Sequence, residues 1–108
     1  MIAASGLFTN TGANPVIMVK HFNIKVSGRV QGVGFRYSAM TAAREHHISG
    51  FVRNEPDGSV YIEAEGQRDD LDRFLQWCYR GPGFGRIDNV VIHESPVRNF
   101  DRFDIKHF

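Results

Sequence analysis

The sequence predicts an α+β domain in which two helices cover one face of an antiparallel sheet. Three observations lead there. Several short segments alternate apolar and polar residues, as half-buried strands do, and two longer stretches repeat apolar residues at helical spacing. These segments follow one another as strand, helix, strand, strand, helix, strand, with a short strand added at the C-terminus. That order is the split βαβ, or ferredoxin-like, arrangement.

The elements can be justified in turn. Residues 1–19 mix Ser, Gly, Thr, Asn and Pro without charge or periodicity, and predict a flexible tail ahead of a domain at 20–108, with Met18 an alternative start. Phe22, Ile24 and Val26 alternate with His21, Asn23 and Lys25 in the first strand. From Phe35 to His47 the spacing predicts a helix, with Phe35, Ala39, Ala42 and Ala43 on one side. Strand character resumes at Phe51–Asn54. Pro56-Asp57-Gly58 then makes a turn, because proline fixes φ and Asp-Gly tolerates left-handed positions. Val60, Ile62 and Ala64 alternate with Tyr61, Glu63 and Glu65, which predicts a hairpin whose polar side faces water. A second helix begins near Asp69 and Asp70, acids that suit the positive end of the helix dipole. Leu71, Phe74, Leu75 and Cys78 share one of its faces, and Gly81-Pro82-Gly83 breaks the chain after Arg80. Ile87–His93 is rich in β-branched residues, and Phe103 and Ile105 alternate with Asp104 and Lys106.

Composition narrows the function classes. With 108 residues, 42% hydrophobic and 23% charged, the chain suits one domain with its own core. A single cysteine, Cys78, forms no internal disulfide and suits a reducing, cytoplasmic setting. No apolar run reaches the roughly 20 residues needed to span a bilayer, and the N-terminus lacks a signal-peptide pattern. Net charge is +1, yet residues 1–44 hold five basic groups and no acid, while the remainder holds eight basic groups and twelve acids. An anion would be drawn to the first part. Nucleic acid calls for a denser basic patch than this.

The acid-free stretch contains Val26-Ser-Gly-Arg-Val-Gln-Gly-Val-Gly-Phe-Arg36. It reads as a strand entering a glycine-rich turn before a helix. Glycines at 28, 32 and 34 accept backbone conformations in which successive N–H groups converge. A helix N-terminus then faces the same point, and Arg36 adds a planar fork of donors. Such a turn also serves as a tight connection, with Arg36 then a solvated surface residue. Asn54 shares a strand face with Gly50 and Val52; at a strand end before a turn, it suits turn formation as well as a site.

Val26–Arg36 and Gly50–Gly66 together resemble the two signature segments of the acylphosphatase family. The first pairs Val-x-Gly-x-Val-Gln-Gly-Val with Phe35-Arg36; the second runs from Gly50-Phe51-Val52-Arg53-Asn54 through Gly58 and Val60 to Gly66. The similarity continues through Gly81-Pro82, Ile87-Asp88 and Phe103-x-Ile105, and so covers residues 20–108. The resemblance implies hydrolysis of small acyl phosphates to a carboxylate and inorganic phosphate, without metal or other cofactor and as a monomer. Carried over by position, Arg36 and the backbone N–H groups of Gln31, Gly32, Val33, Gly34, Phe35 and Arg36 would hold the phosphoryl group. Asn54 would orient the attacking water. Gly83-Phe84-Gly85 departs from the proline- and alanine-containing turn usual in the family. Glu55 and Asp57 lie near Asn54 and are expected to face solvent.

Other readings of the residues are weaker. A catalytically silent phosphate-binding or interaction module of the same fold would keep the loop without turnover. An RNA-binding module would need aromatic residues on the central strands, where Tyr61 stands beside Glu63 and Glu65. His46-His47 diverge by about 100° on a helix and have no ligand partner at i, i+4. Cys78 falls on an apolar helix face and reads as core.

Overall fold

A computed structural model describes residues 18–107. The elements are β1 (Val19–Arg29), α1 (Phe35–Glu45), β2 (Ser49–Asn54), β3 (Val60–Gln67), α2 (Arg68–Arg80), β4 (Arg86–Ser95) and β5 (Phe103–Lys106). The predicted tail lies almost wholly outside the described residues, although Val19 already pairs with Gln67 at the start of β1. The five strands form one sheet in the order β4-β1-β3-β2-β5. Every pairing is antiparallel except the last: β5 runs parallel to β2, with Val52 opposite Ile105. The sheet is therefore mixed, not purely antiparallel, and the route of the chain explains why. Residues 96–102 carry it from one edge of the sheet across to the other, so β5 enters alongside β2 in the same direction.

The core lies between the sheet and the helices. Phe22, Ile24 and Val26 of β1, Val52 of β2 and Val60, Ile62 and Ala64 of β3 are buried against Phe35, Ala39, Ala42 and Ala43 of α1. Leu71, Phe74 and Cys78 supply the buried stripe of α2, and Leu75 packs half-buried beside them. Trp77 sits between Phe35 and Phe74, with ring centroids 5.3 and 6.1 Å away. Period-two alternation on the strands and three-to-four spacing on the helices place all of these side chains on one interface.

The opposite face of the hairpin corrects the expectation that it faces water. Glu63 and Glu65 are buried, as is His21, which has no exposed surface. The imidazole lies between the two carboxylates, 2.8 Å from Glu63 and 2.9 Å from Glu65. Phe100 stacks on His21 and meets Phe51 edge-on. The Glu65 carboxylate accepts the backbone N–H groups of Arg98, at 2.6 Å, and Phe100, at 3.0 Å. Residues 96–100 thus cover this face, and buried carboxylates hold them there. An alternating polar strand signals solvent only when nothing crosses it.

Burial alone would raise the Glu65 pKa, but the donors from Arg98, His21 and Phe100 outweigh it and hold the carboxyl below its ordinary value of 4.5. A depressed pKa contributes stability that is present above the unfolded value and lost as pH falls through the folded one. Glu65→Gln removes the charge and opposes an NH₂ group to one of the donors, at a cost of about 3 kcal/mol at neutral pH. Urea unfolding at pH 7 and pH 3 should show that the variant loses less stability on acidification than the parent.

Candidate functional site

The first strand delivers the glycine-rich loop to the core edge of the sheet. Val30 is buried just beyond β1. Gln31 donates from Nε2 to the carbonyls of Glu55 and Ser59, both at 2.8 Å, so the loop is fastened to the β2–β3 turn. Gly32 and Gly34 have φ of 76° and 78°, the left-handed region where a Cβ is strained. A side chain would meet nothing within 4 Å at either position, so conformation, not space, calls for glycine there. Gly28 has a different reason. It follows a register shift in the β1–β4 ladder, where the Arg86 carbonyl leaves no room for a Cβ. Gly28 therefore belongs to a bulge and not to the loop.

Gly34 caps α1 without a side-chain hydrogen bond, and the first turn contains no acid. The Ser38 N–H is the first to reach back, to the Gly34 carbonyl at 3.0 Å. The N–H groups of Phe35, Arg36 and Tyr37 precede it and have no acceptor within the helix. Together with the dipole they favour an anion at this end.

A cleft of about 190 Å³ opens at that point. Gly32, Gly34, Phe35 and Arg36 line it from the loop and α1, and Asn54 lines it from the end of β2. Gln31 and Val33 are not among its lining residues. Gln31 is turned to the hairpin, and Val33 lies against Gly85. Asn54 projects on the helix side with Val52, and among the described residues its amide has no side-chain hydrogen bond. Arg36 is half-buried. Its Nη1 donates to the Lys106 carbonyl at 3.4 Å and lies 3.1 Å from Nδ1 of His107.

Ile105, His107 and Tyr37 also line the cleft, and sequence reasoning did not place them there. A signal existed for two of them. Residues 103, 105 and 107 share one face of an extended strand, but only the parallel pairing of β5 with β2 brings that face beside Arg36 and Asn54.

The acids near Asn54 are engaged elsewhere. Glu55 accepts from Nε of Arg53 at 2.7 Å. Exposed Asp57 takes Nζ of Lys25 at 2.6 Å and the Ser59 N–H at 2.9 Å, and these donors, Lys25 first, hold its carboxyl far below the usual range. Neither residue lines the cleft, and among the described residues no Asp or Glu does. Among the described residues no group of three His, Cys, Asp or Glu side chains could hold a metal ion. Cys78 is buried in the core, and burial pushes its thiol pKa up, away from nucleophilic chemistry.

Known proteins give this geometry a context. The family model for acylphosphatase matches residues 22–105. An acylphosphatase from Oceanobacillus iheyensis is 42% identical over 91 residues, covering 82% of this chain and 100% of that one. Another, from Archaeoglobus fulgidus, is 43% identical over 84 residues, covering 78% and 94% of the two chains. The crystal structure of acylphosphatase from Bacillus subtilis matches with a TM-score of 0.79 at 37% identity, covering 82% of this chain and 99% of the other. On sequence and on fold alike, the chain belongs to the acylphosphatase family.

Proposed function

We propose that the cleft at the head of α1 is where this chain hydrolyses the carboxyl–phosphate bond of small acyl phosphates. Arg36 and the N–H groups of the 31–36 loop hold the phosphoryl oxygens, and Asn54 orients the attacking water. One observation carries the assignment: Arg36 and Asn54, from different elements, line the same cleft as a helix N-terminus that has no side-chain cap. The water oxygen bonds to phosphorus, the bond from phosphorus to the bridging oxygen breaks, and the acyl group departs as carboxylate with that oxygen. A proton is released to solvent.

Little covalent help is needed for this reaction. Phosphoryl transfer passes through a loose transition state with charge on three equatorial oxygens, so positioning and charge stabilisation do most of the catalysis. Preorganised donors aimed at those oxygens are worth about 3 kcal/mol each. Carboxylate is a good leaving group, so neither a metal nor a covalent intermediate is required of the protein. A neutral amide at Asn54 binds water at any pH, without the repulsion a carboxylate would exert on phosphate.

In the same reading the catalytic domain is 20–108, with 1–19 outside the site, and the enzyme acts as a monomer in the cytoplasm. Among the described residues no helix is long and apolar enough to cross a membrane. Hydrolysis of acetyl phosphate in ¹⁸O-water with EDTA tests the chemistry. The label is expected in phosphate and not in acetate. Label in acetate would mean attack at the carbonyl carbon and would overturn the roles given to Arg36 and Asn54.

A further inference from the structure

The last strand is anchored beside Arg36 by contacts that do not involve Arg36 itself. Phe103 is buried and meets Phe74 edge-on, and the Gly50 N–H holds the Arg102 carbonyl at 2.9 Å. Arg44, about two turns along α1 from Arg36, donates to the Phe103 carbonyl at 3.2 Å. The far end of β5 then reaches the guanidinium of Arg36. Alternation sorts the two residues there. Lys106 sends its ammonium to the opposite face of the sheet, 4.2 Å from the centroid of the Phe51 ring. His107 returns to the helix side and lines the cleft, so the side chain set against Arg36 is not a second lysine.

Chemistry settles the direction of the Arg36–His107 contact. A guanidinium is always charged and has no acceptor. Nδ1 of His107, 3.1 Å from Nη1, must therefore supply the lone pair, which places the ring proton on Nε2 of a neutral imidazole. The Lys106 carbonyl meets the same Nη1 atom, so both of its N–H groups are engaged by the end of the chain. Among the described residues Nε and Nη2 have no acceptor. They form the side-on edge of the guanidinium, a fork that can meet two phosphoryl oxygens together.

We propose that His107 is a positioning residue for the reaction: through Nδ1 it holds Nη1 in place and leaves the Nε–Nη2 edge of Arg36 for the phosphoryl group. The inference rests on the role given to Arg36 in acyl phosphate hydrolysis and names the side chain that aims it. An arginine left unheld keeps rotamer freedom that substrate binding must remove, and a fixed one has already lost it. A neutral acceptor suits this work better than a carboxylate would. Asp or Glu in its place would hold the guanidinium more firmly but set a negative charge beside an anionic substrate.

The test is a double-mutant cycle on kcat/KM for acetyl phosphate, with inorganic phosphate as the inhibitor. His107→Phe keeps a ring and removes the acceptor; it should lower kcat/KM roughly fivefold and weaken phosphate inhibition by a similar factor. His107→Asn, whose Oδ1 can stand where Nδ1 stands, should recover most of the loss. In an Arg36→Ala background His107→Phe should change activity by less than about twofold, because no guanidinium remains to be held. Equal losses in both backgrounds, an asparagine variant no better than phenylalanine, or full activity in His107→Phe while Arg36→Ala is inactive would each overturn the positioning role alone. Full activity in Arg36→Ala would overturn the role given to Arg36, and this inference with it.

Discussion

Arg36→Ala is expected to lower kcat/KM for acetyl phosphate by roughly 10³-fold or more, the scale seen when a transition-state arginine is removed from phosphoryl transfer. Binding should suffer as well as turnover, because in the proposed role the guanidinium meets the phosphoryl oxygens in the ground state and the transition state alike. Inhibition by inorganic phosphate should weaken in the same variant. Arg36→Lys should recover only part of the loss, since an ammonium restores the charge but not the planar fork. Stability should change by only about 1 kcal/mol, because within the protein the guanidinium contacts only the Lys106 carbonyl, at 3.4 Å, and the exposed His107 ring, at 3.1 Å, among the hydrogen-bond partners of the described residues. Abolished activity with an unchanged unfolding curve would separate the chemical role from a structural one.

Asn54→Ala is expected to act differently. Its amide faces the cleft with no side-chain hydrogen bond among the described residues, and the role given to it is to aim water. Loss of a positioning group of this kind should lower kcat by about 10²–10³-fold. The inhibition constant for phosphate should stay within about twofold, a KM-against-kcat split that Arg36→Ala should not show. Asn54→Asp keeps the shape and adds a negative charge beside the phosphoryl group, so it should be no better than alanine at neutral pH. Steady-state kinetics on the two variants, with phosphate as the inhibitor, distinguish binding from water positioning.

Much of this arrangement is legible in the residues. The alternation of Phe22, Ile24 and Val26, the helical spacing of Leu71, Phe74 and Cys78, and the Pro56-Asp57-Gly58 turn each rest on local geometry, and each appears where the pattern puts it. The cleft is legible in part. Gly32, Gly34 and Arg36 announce themselves because left-handed φ and a helix start are local properties.

The features that the pattern hides depend on residues distant in sequence. Glu63 and Glu65 read as solvent-facing because alternation reports a face and not what covers it. Their burial depends on residues 96–100, some thirty-five positions later. His107 and Ile105 reach the cleft only through the parallel pairing of β5, which a four-residue strand cannot signal by itself. Gly28 reads as part of the loop, yet its positive φ serves a bulge against β4.

The central claim is that Arg36 and Asn54 act in one metal-independent site. Phosphate release from acetyl phosphate in EDTA, measured side by side for the parent protein, Arg36→Ala and Asn54→Ala, tests it most directly. The parent is expected to turn over at full rate with chelator present, and both variants to lose at least about a hundredfold. Full activity in both variants, or a parent enzyme silent until a divalent metal is supplied, would contradict it.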